Sequence, residues 1–170
     1  MKILETERLL LRHFEISDAE DLFRIYSDAE TMKFMGDGPP SVEAERENLK
    51  KHLDNYYKNH GLGIWATVLK EHNKFIGRCG LLRSTINGNE EIEVGYLLER
   101  EFWGRDLATE ATMGVLDLAF DQLQIGRIVA VIHPENFASK KVAEKAGMTF
   151  EKIVSYKNFP EVLLFSKEQV

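Results

Sequence analysis

The spacing of apolar residues changes character along this chain, and each change marks an element. Leu9, Leu10 and Leu11 lie between charges and predict a first strand over 7–14. Ser17-Asp18-Ala19-Glu20 has the Ser-x-x-Glu spacing of a capping box, with Leu22, Phe23, Ile25 and Tyr26 as the apolar stripe of a short helix behind it. Gly36-Asp37-Gly38-Pro39-Pro40 cannot continue a helix. Ser41 caps the next one, which runs through Leu49, Leu53 and Tyr57 to Gly61. Two early helices leave room for a cleft beneath them, and residues 31–40 read as a mobile substrate loop or as a plain surface loop.

From Ile64 the period becomes that of strands. Ile64 to Leu69 and Lys74 to Leu82 form a hairpin across Lys70-Glu71-His72-Asn73, and Asn87-Gly88 marks the next turn. Glu91 to Leu98 then alternates, with Ile92, Val94, Tyr96 and Leu98 on one face and Glu91, Glu93, Gly95 and Leu97 on the other. Ala108, Ala111, Val115 and Ala119 make a helical stripe, and Ile128 to Ile132 is an uninterrupted apolar strand suited to a sheet centre. Asn136 caps a last helix that stops at Gly147, and residues 150–155 and 162–166 close the chain as a hairpin.

The stretch from Glu91 to Met148 carries the chemistry. Its centre, Arg100-Glu101-Phe102-Trp103-Gly104-Arg105-Asp106-Leu107-Ala108-Thr109-Glu110-Ala111, takes an apolar strand through a basic glycine turn straight into a helix. The first N–H groups of a helix have no internal partners and carry the positive end of its dipole, so this junction suits a phosphate.

A chain of 170 residues is long enough for one well-buried core, so a single domain over 1–170 is expected. Apolar residues at 44% and charged residues at 29% are ordinary for a soluble protein, and no apolar run suits a membrane span. The acidic N-terminus lacks the apolar run of a signal peptide, and one cysteine, Cys79, fits a reducing compartment; a cytoplasmic location is expected. A net charge of −6 argues against nucleic-acid binding and favours a cationic partner.

Taken together, these residues resemble the GNAT superfamily of acetyl-CoA-dependent N-acetyltransferases, and within it the RimJ/RimL-type branch. The resemblance rests on residues 5–12, on Glu93-Val94-Gly95-Tyr96-Leu97-Leu98, on Phe102-Trp103-Gly104-Arg105, on Ala108-Thr109-Glu110-Ala111, and on Asn136-Phe137-Ala138-Ser139 leading to Glu144-Lys145-Ala146-Gly147. It implies an α/β (α+β) fold whose central sheet, of about seven mostly antiparallel strands, is flanked by helices. Acetyl-CoA would enter a splayed cleft between the fourth and fifth strands, here Glu91 to Leu98 and Arg127 to His133. The family's pyrophosphate signature, Gln/Arg-x-x-Gly-x-Gly/Ala, falls on Glu101 to Asp106, where only Gly104 fits and Asp106 replaces a small residue.

The implied chemistry is direct transfer of an acetyl group to a primary amine, a small molecule or a protein N-terminus. N–H groups around Tyr96, Leu97 and Leu98 would hold the thioester carbonyl, and Phe102, Trp103, Gly104, Arg105, Asp106, Leu107, Ala108 and Thr109 would lie under the phosphates. Glu93 is the candidate base, set against a solvated strand glutamate, and Glu91 competes with it. The tyrosine that protonates the departing thiolate in many members is replaced by Ala143, so Ser139 becomes the candidate acid, set against a polar residue in the helix's first turn. Asn136 is a pantetheine contact, an N-cap, or both. Relatives often dimerise through free strand edges.

Other patterns carry less. Gly61-Leu62-Gly63-Ile64-Trp65-Ala66 enters a strand, the reverse of a dinucleotide site. His13, His52, His60, His72 and His133 lack metal-ligand spacing, so no metal is expected. Cys79 and Trp65 read as packing. A reading from another class, a CoA-binding regulatory or interaction module without turnover, draws on Glu101, Asp106 and the missing tyrosine.

Overall fold

The computed structural model describes residues 1–55, 57–58 and 61–170. The strands are β1 Lys2–Glu5, β2 Leu9–Arg12, β3 Gly63–Leu69, β4 Lys74–Ile86, β5 Asn89–Leu98, β6 Arg127–Ile132, β7 Thr149–Tyr156 and β8 Phe159–Glu168. They form one sheet in the order β1-β2-β3-β4-β5-β6-β8-β7. Among the described residues β5 and β6 run parallel and all other neighbours are antiparallel. The eighth strand is β1, which the periodicity does not reveal. Four residues at a sheet edge, half exposed, have too short a pattern to read, and pairing of Lys2 with Arg12 and Glu5 with Leu10 is what makes them a strand.

Strand alternation sends neighbouring side chains to opposite cores. The helices are α1 Ala19–Tyr26, α2 Ala29–Met32, α3 Val42–Asn55, α4 Leu107–Asp117 and α5 Phe137–Lys145. Leu22, Ile25 and Leu49 of α1 and α3 pack on Ile64, Ala66 and Leu97 on one face of the sheet. Val115, Leu116 and Ala143 of α4 and α5 pack on Trp65, Cys79, Val94 and Leu98 on the other. The Cys79 thiol is fully buried there and pushed up to about 12 by that burial, so it is core and no nucleophile. No helix among the described residues is long and apolar enough to cross a membrane.

Three boundaries differ from the pattern. The predicted Ser17 box is not what opens α1: a 3₁₀ turn over Ile16–Asp18 precedes it, and the buried Asp18 accepts the Glu15 N–H at 2.7 Å and both Arg12 donors at 2.8 Å. A buried carboxylate with a cation on the adjacent strand outranks a local cap. Helix α3 starts after Ser41, whose Oγ accepts the Ala44 N–H at 3.1 Å, and ends at Asn55. The extension predicted toward Gly61 falls partly on Tyr56, Asn59 and His60, outside the described residues. Within 31–40, Met32 ends α2 and Phe34 stacks on His133 at 4.8 Å, so this segment is a wall of the molecule.

Two sequence motifs far apart in the chain meet at one carboxylate. Glu110, in the first turn of α4, accepts from Thr6 Oγ1 at 2.5 Å, Arg8 N at 2.8 Å and Arg8 Nε at 2.6 Å, tying the β1–β2 turn to the helix. Burial raises the pKa of this carboxyl, and the Thr6 and Arg8 donors outweigh it, leaving it below the usual glutamate range. Glu110→Ala strands the Thr6 and Arg8 donors and is expected to cost about 2 kcal/mol in urea unfolding at neutral pH. Because the folded-state pKa is depressed, the contribution is complete above the unfolded-state value and is lost as pH falls through the folded one. The difference between wild type and Glu110→Ala therefore shrinks in acid; a constant difference down to acid pH would contradict the assignment.

Candidate active site

The central feature is a parting of two strands. Among the described residues, β5 and β6 share one register pair, Glu93 opposite Val129. Glu99 N donates to Ile76 O at 2.8 Å, and the register Arg78↔Leu97, Gly80↔Gly95, Leu82↔Glu93 continues that bonded series. Main-chain groups alternate sides along a strand, so Leu97 bonds to β4 while Tyr96 and Leu98 present theirs toward β6, where the strands have separated. The Leu98 carbonyl accepts Trp103 Nε1 at 2.9 Å, which leaves the N–H groups as the free donors of this edge. An extended chain of amides such as pantetheine fits such an edge as an added strand would.

The loop at the mouth of the gap is built for an anion. Gly104 has φ 74° and Asp106 φ 58°, and α4 begins at Leu107. The helix's first internal bond is Glu110 N to Asp106 O at 3.0 Å, so the Leu107, Ala108 and Thr109 N–H groups have no acceptor within the helix. A left-handed backbone at Asp106 explains why a small residue suits this place, because any Cβ is strained there. The Asp106 carboxylate turns to Lys145 Nζ at 2.5 Å, and that bond holds it below the usual aspartate range. Glu101 pairs likewise with Lys74. Both acids that interrupt the signature are therefore matched by lysines. Phe102 is buried, with Lys74 and Arg105 over its ring at 4.8 and 5.3 Å, so it fixes the turn.

Glu93 and Ser139 lie on opposite faces of the sheet, one on each side of the gap. Glu93 is 9% exposed, and its Oε2 accepts Ser84 Oγ at 2.6 Å and Tyr156 OH at 2.9 Å, which is not the setting of a solvated strand glutamate. Glu91 is occupied by Arg127 at 3.2 Å. Ser139 sits in the first turn of α5, where Asn136 Oδ1 accepts its N–H at 3.1 Å and so caps the helix. Its Oγ lies 2.6 Å from Tyr96 OH, which also donates to the Ser139 carbonyl at 2.9 Å. Burial pushes the Tyr96 phenol well up, against the pull of the Ser139 bond, so it stays protonated. Sequence reading places Tyr96 here for its main chain alone; its hydroxyl reaches Ser139 across the 43 residues between them, a contact no local pattern announces.

Beneath α1 and α3, on the Glu93 face, lies a cavity of about 530 Å³. Its walls include Leu82, the cross-strand neighbour of Glu93, together with Tyr26, Glu45, His52 and Arg78. A hollow of about 700 Å³ outside α4 is walled by Glu5, Glu7, Glu110, Asp117 and Asp121, a poor setting for an anionic substrate. Among the described residues no group of three or more His, Cys, Asp or Glu side chains is placed to hold a metal ion.

A sheet parted at the parallel pair β5–β6, with a helix start suited to an anion at its mouth, is the architecture of an acyl-CoA-dependent transferase. The sequence matches the family Acetyltransferase (GNAT) domain over residues 8–149. It is 34% identical over 158 residues to the uncharacterized protein YkkB of Bacillus subtilis (strain 168), covering 92% of this chain and 91% of that one. It is 32% identical over 152 residues to the uncharacterized N-acetyltransferase p20 of Bacillus licheniformis, covering 89% and 84%. An acetyltransferase structure from Agrobacterium tumefaciens str. C58 superimposes with a TM-score of 0.81 at 27% identity, covering 99% of this chain and 95% of that one. This chain belongs to the GNAT acetyltransferase family. It is an acetyltransferase with the mixed α/β fold of that family, and its acyl donor is acetyl-CoA.

The loop geometry sets a test. Asp106→Gly relieves a left-handed aspartate and frees Lys145 from its carboxylate at the anion-binding helix start, so calorimetric titration is expected to give several-fold tighter acetyl-CoA binding with little change in melting temperature. Weaker binding by the glycine variant would mean that the Asp106–Lys145 pair itself holds the loop in its binding shape.

Proposed function

We propose that this enzyme is a single-domain cytoplasmic N-acetyltransferase of the RimJ/RimL type that acetylates a primary amine by direct transfer, with no acyl-enzyme. The observation that carries this reading is the placement of Glu93 and Ser139 on the two sides of the parted strands, each held by partners of its own. An amine is protonated at neutral pH, and the Glu93 carboxylate takes that proton directly or through one water. The neutral nitrogen attacks the thioester carbonyl carbon, and the N–H groups of Tyr96 and Leu98 stabilise the resulting oxyanion. The C–S bond then breaks, the departing thiolate takes the Ser139 hydroxyl proton, and the proton that the tetrahedral nitrogen sheds passes to the serine oxygen through water, while the neutral Tyr96 phenol orients that hydroxyl. Phosphates rest on the Leu107, Ala108 and Thr109 N–H groups, with Arg105 nearby and Asn136 ordering the Ser139 turn.

A protein N-terminus and a small amine both suit this mechanism. A relative called a putative ribosomal N-acetyltransferase, YdaF of Bacillus subtilis (strain 168), is 26% identical over 151 residues and supports the first. The open edges β1 and β7 offer main-chain groups to a second copy, and exposed Phe150 and Ile153 on β7 support a homodimer there.

The reading is tested by thiol release from acetyl-CoA across a panel of amines. Glu93→Gln should lower kcat by roughly 100-fold and flatten the acid limb of the pH–rate profile while leaving acetyl-CoA affinity unchanged. Ser139→Ala should lower kcat more modestly. Tight acetyl-CoA binding with no turnover of any amine would favour the CoA-binding module instead.

A further inference from the structure

The cavity beneath α1 and α3 contains a cation that forms no close ion pair among the described residues. Four arginines are partly buried: Arg12, Arg46, Arg78 and Arg127. Arg12 pairs with Asp18, Arg46 with Glu20 and Arg127 with Glu91. Among the described residues no carboxylate comes within 4.0 Å of Arg78, whose Nε is buried without a hydrogen-bond partner and whose guanidinium stands 5.6 Å from the Tyr26 ring and interacts with its hydroxyl. The buried Glu45 also lines this cavity and attracts Arg78 across it, but it accepts from Asn48 at 3.4 Å and burial, the largest influence, pushes its carboxyl up toward the neutral form. It answers the arginine only in part. A guanidinium withdrawn from water with its fork incompletely used is a strong site for a planar oxyanion, which it binds through two parallel bonds.

Position says what the oxyanion belongs to. Arg78 lies opposite Leu97 and points to the face that carries Glu93, and Leu82, opposite Glu93, lines the same cavity. The two register positions are four residues apart, roughly 13 Å along the strand. Leu97 is next to Tyr96, so an acceptor whose amine attacks at Tyr96 meets Arg78 with a group a few bonds from its nitrogen, and its proton passes to Glu93 through water. Phe14, Leu22, Met32 and Leu49 complete the walls with apolar surface. We infer that the acceptor is a small amine bearing a carboxylate close to its nitrogen and an apolar body, as in an α-amino acid with a hydrophobic side chain, and that Arg78 holds that carboxylate. This rests on the acetyl-transfer reading of the same site.

The test compares amino acids with their decarboxylated counterparts, phenylalanine with phenethylamine and leucine with isoamylamine, together with a peptide that has phenylalanine at its N-terminus. Wild type should prefer the free amino acids. Arg78→Gln should raise their KM by roughly tenfold or more, with kcat, acetyl-CoA KM and the KM of the decarboxylated amines little changed, and Arg78→Lys should recover part of the loss. Equal use of amine and amino acid, or equal sensitivity of both to Arg78→Gln, overturns the inference. Preference for the peptide overturns it in favour of a protein N-terminus. Should no amine turn over, titration of N-acetylphenylalanine and N-acetylphenethylamine into the CoA-loaded enzyme still decides it. Binding of the carboxylate compound alone, lost in Arg78→Gln, supports the Arg78 site even where the catalytic reading fails, and no such binding rejects it.

Discussion

Two adjacent parallel strands in the middle of the sheet separate after a single pairing, and most of what surrounds them answers that separation. Buried main-chain groups without partners cost free energy comparable to a lost hydrogen bond each. A sheet can keep such groups at its centre only if something else satisfies them for part of the time. Trp103 satisfies the Leu98 carbonyl, and in the proposed mechanism the N–H groups that remain serve the cosubstrate. The start of α4 lies at the mouth of the same gap, so one chain of donors runs from the strand edge to the helix terminus.

Electrostatic ties hold that arrangement in place. Glu110 binds the β1–β2 turn to α4, Asp106 binds α4 to the end of α5 through Lys145, and Glu101 is matched by Lys74 on β4. These pairs differ in kind. Glu110 is largely enclosed and receives three hydrogen bonds, so it is structural; the pairs at Asp106 and Glu101 are exposed and add little to the fold, and they turn negative charge away from the proposed phosphate loop.

The sheet also divides the chemistry between its faces. Glu93 and Tyr96 are three residues apart on one strand and so project to opposite sides. Tyr96 meets Ser139 on the α5 side, and Glu93 meets Ser84 and Tyr156 on the side that holds the cavity under α1 and α3. On the proposed mechanism donor and acceptor enter from different directions and meet at the gap between β5 and β6. Such an arrangement gives direct transfer without a covalent stage a simple geometry, because both substrates are bound at once.

Local pattern determined a good deal here by itself. Alternation in residues 91–98, the helical stripe of α4, the Asn87-Gly88 turn, the Ser41 and Asn136 caps and the Gly147 stop are short-range effects of side-chain periodicity and backbone preference, and all are seen in the structure. The strand-to-helix anion loop is local in the same sense. What the sequence could not determine are partnerships between distant residues. The strand β1 exists because β2 is beside it, the first turn before α1 is set by Arg12 reaching Asp18, and Glu110 gains its role from Thr6 and Arg8. The charge on Asp106 looks hostile to phosphate until Lys145 is placed beside it, and Arg78 looks like any strand arginine until it is found, among the described residues, to make no ion pair within 4.0 Å. Periodicity reports which way a side chain points; only the folded chain decides what it meets, because burial and pairing arise from segments far apart in sequence.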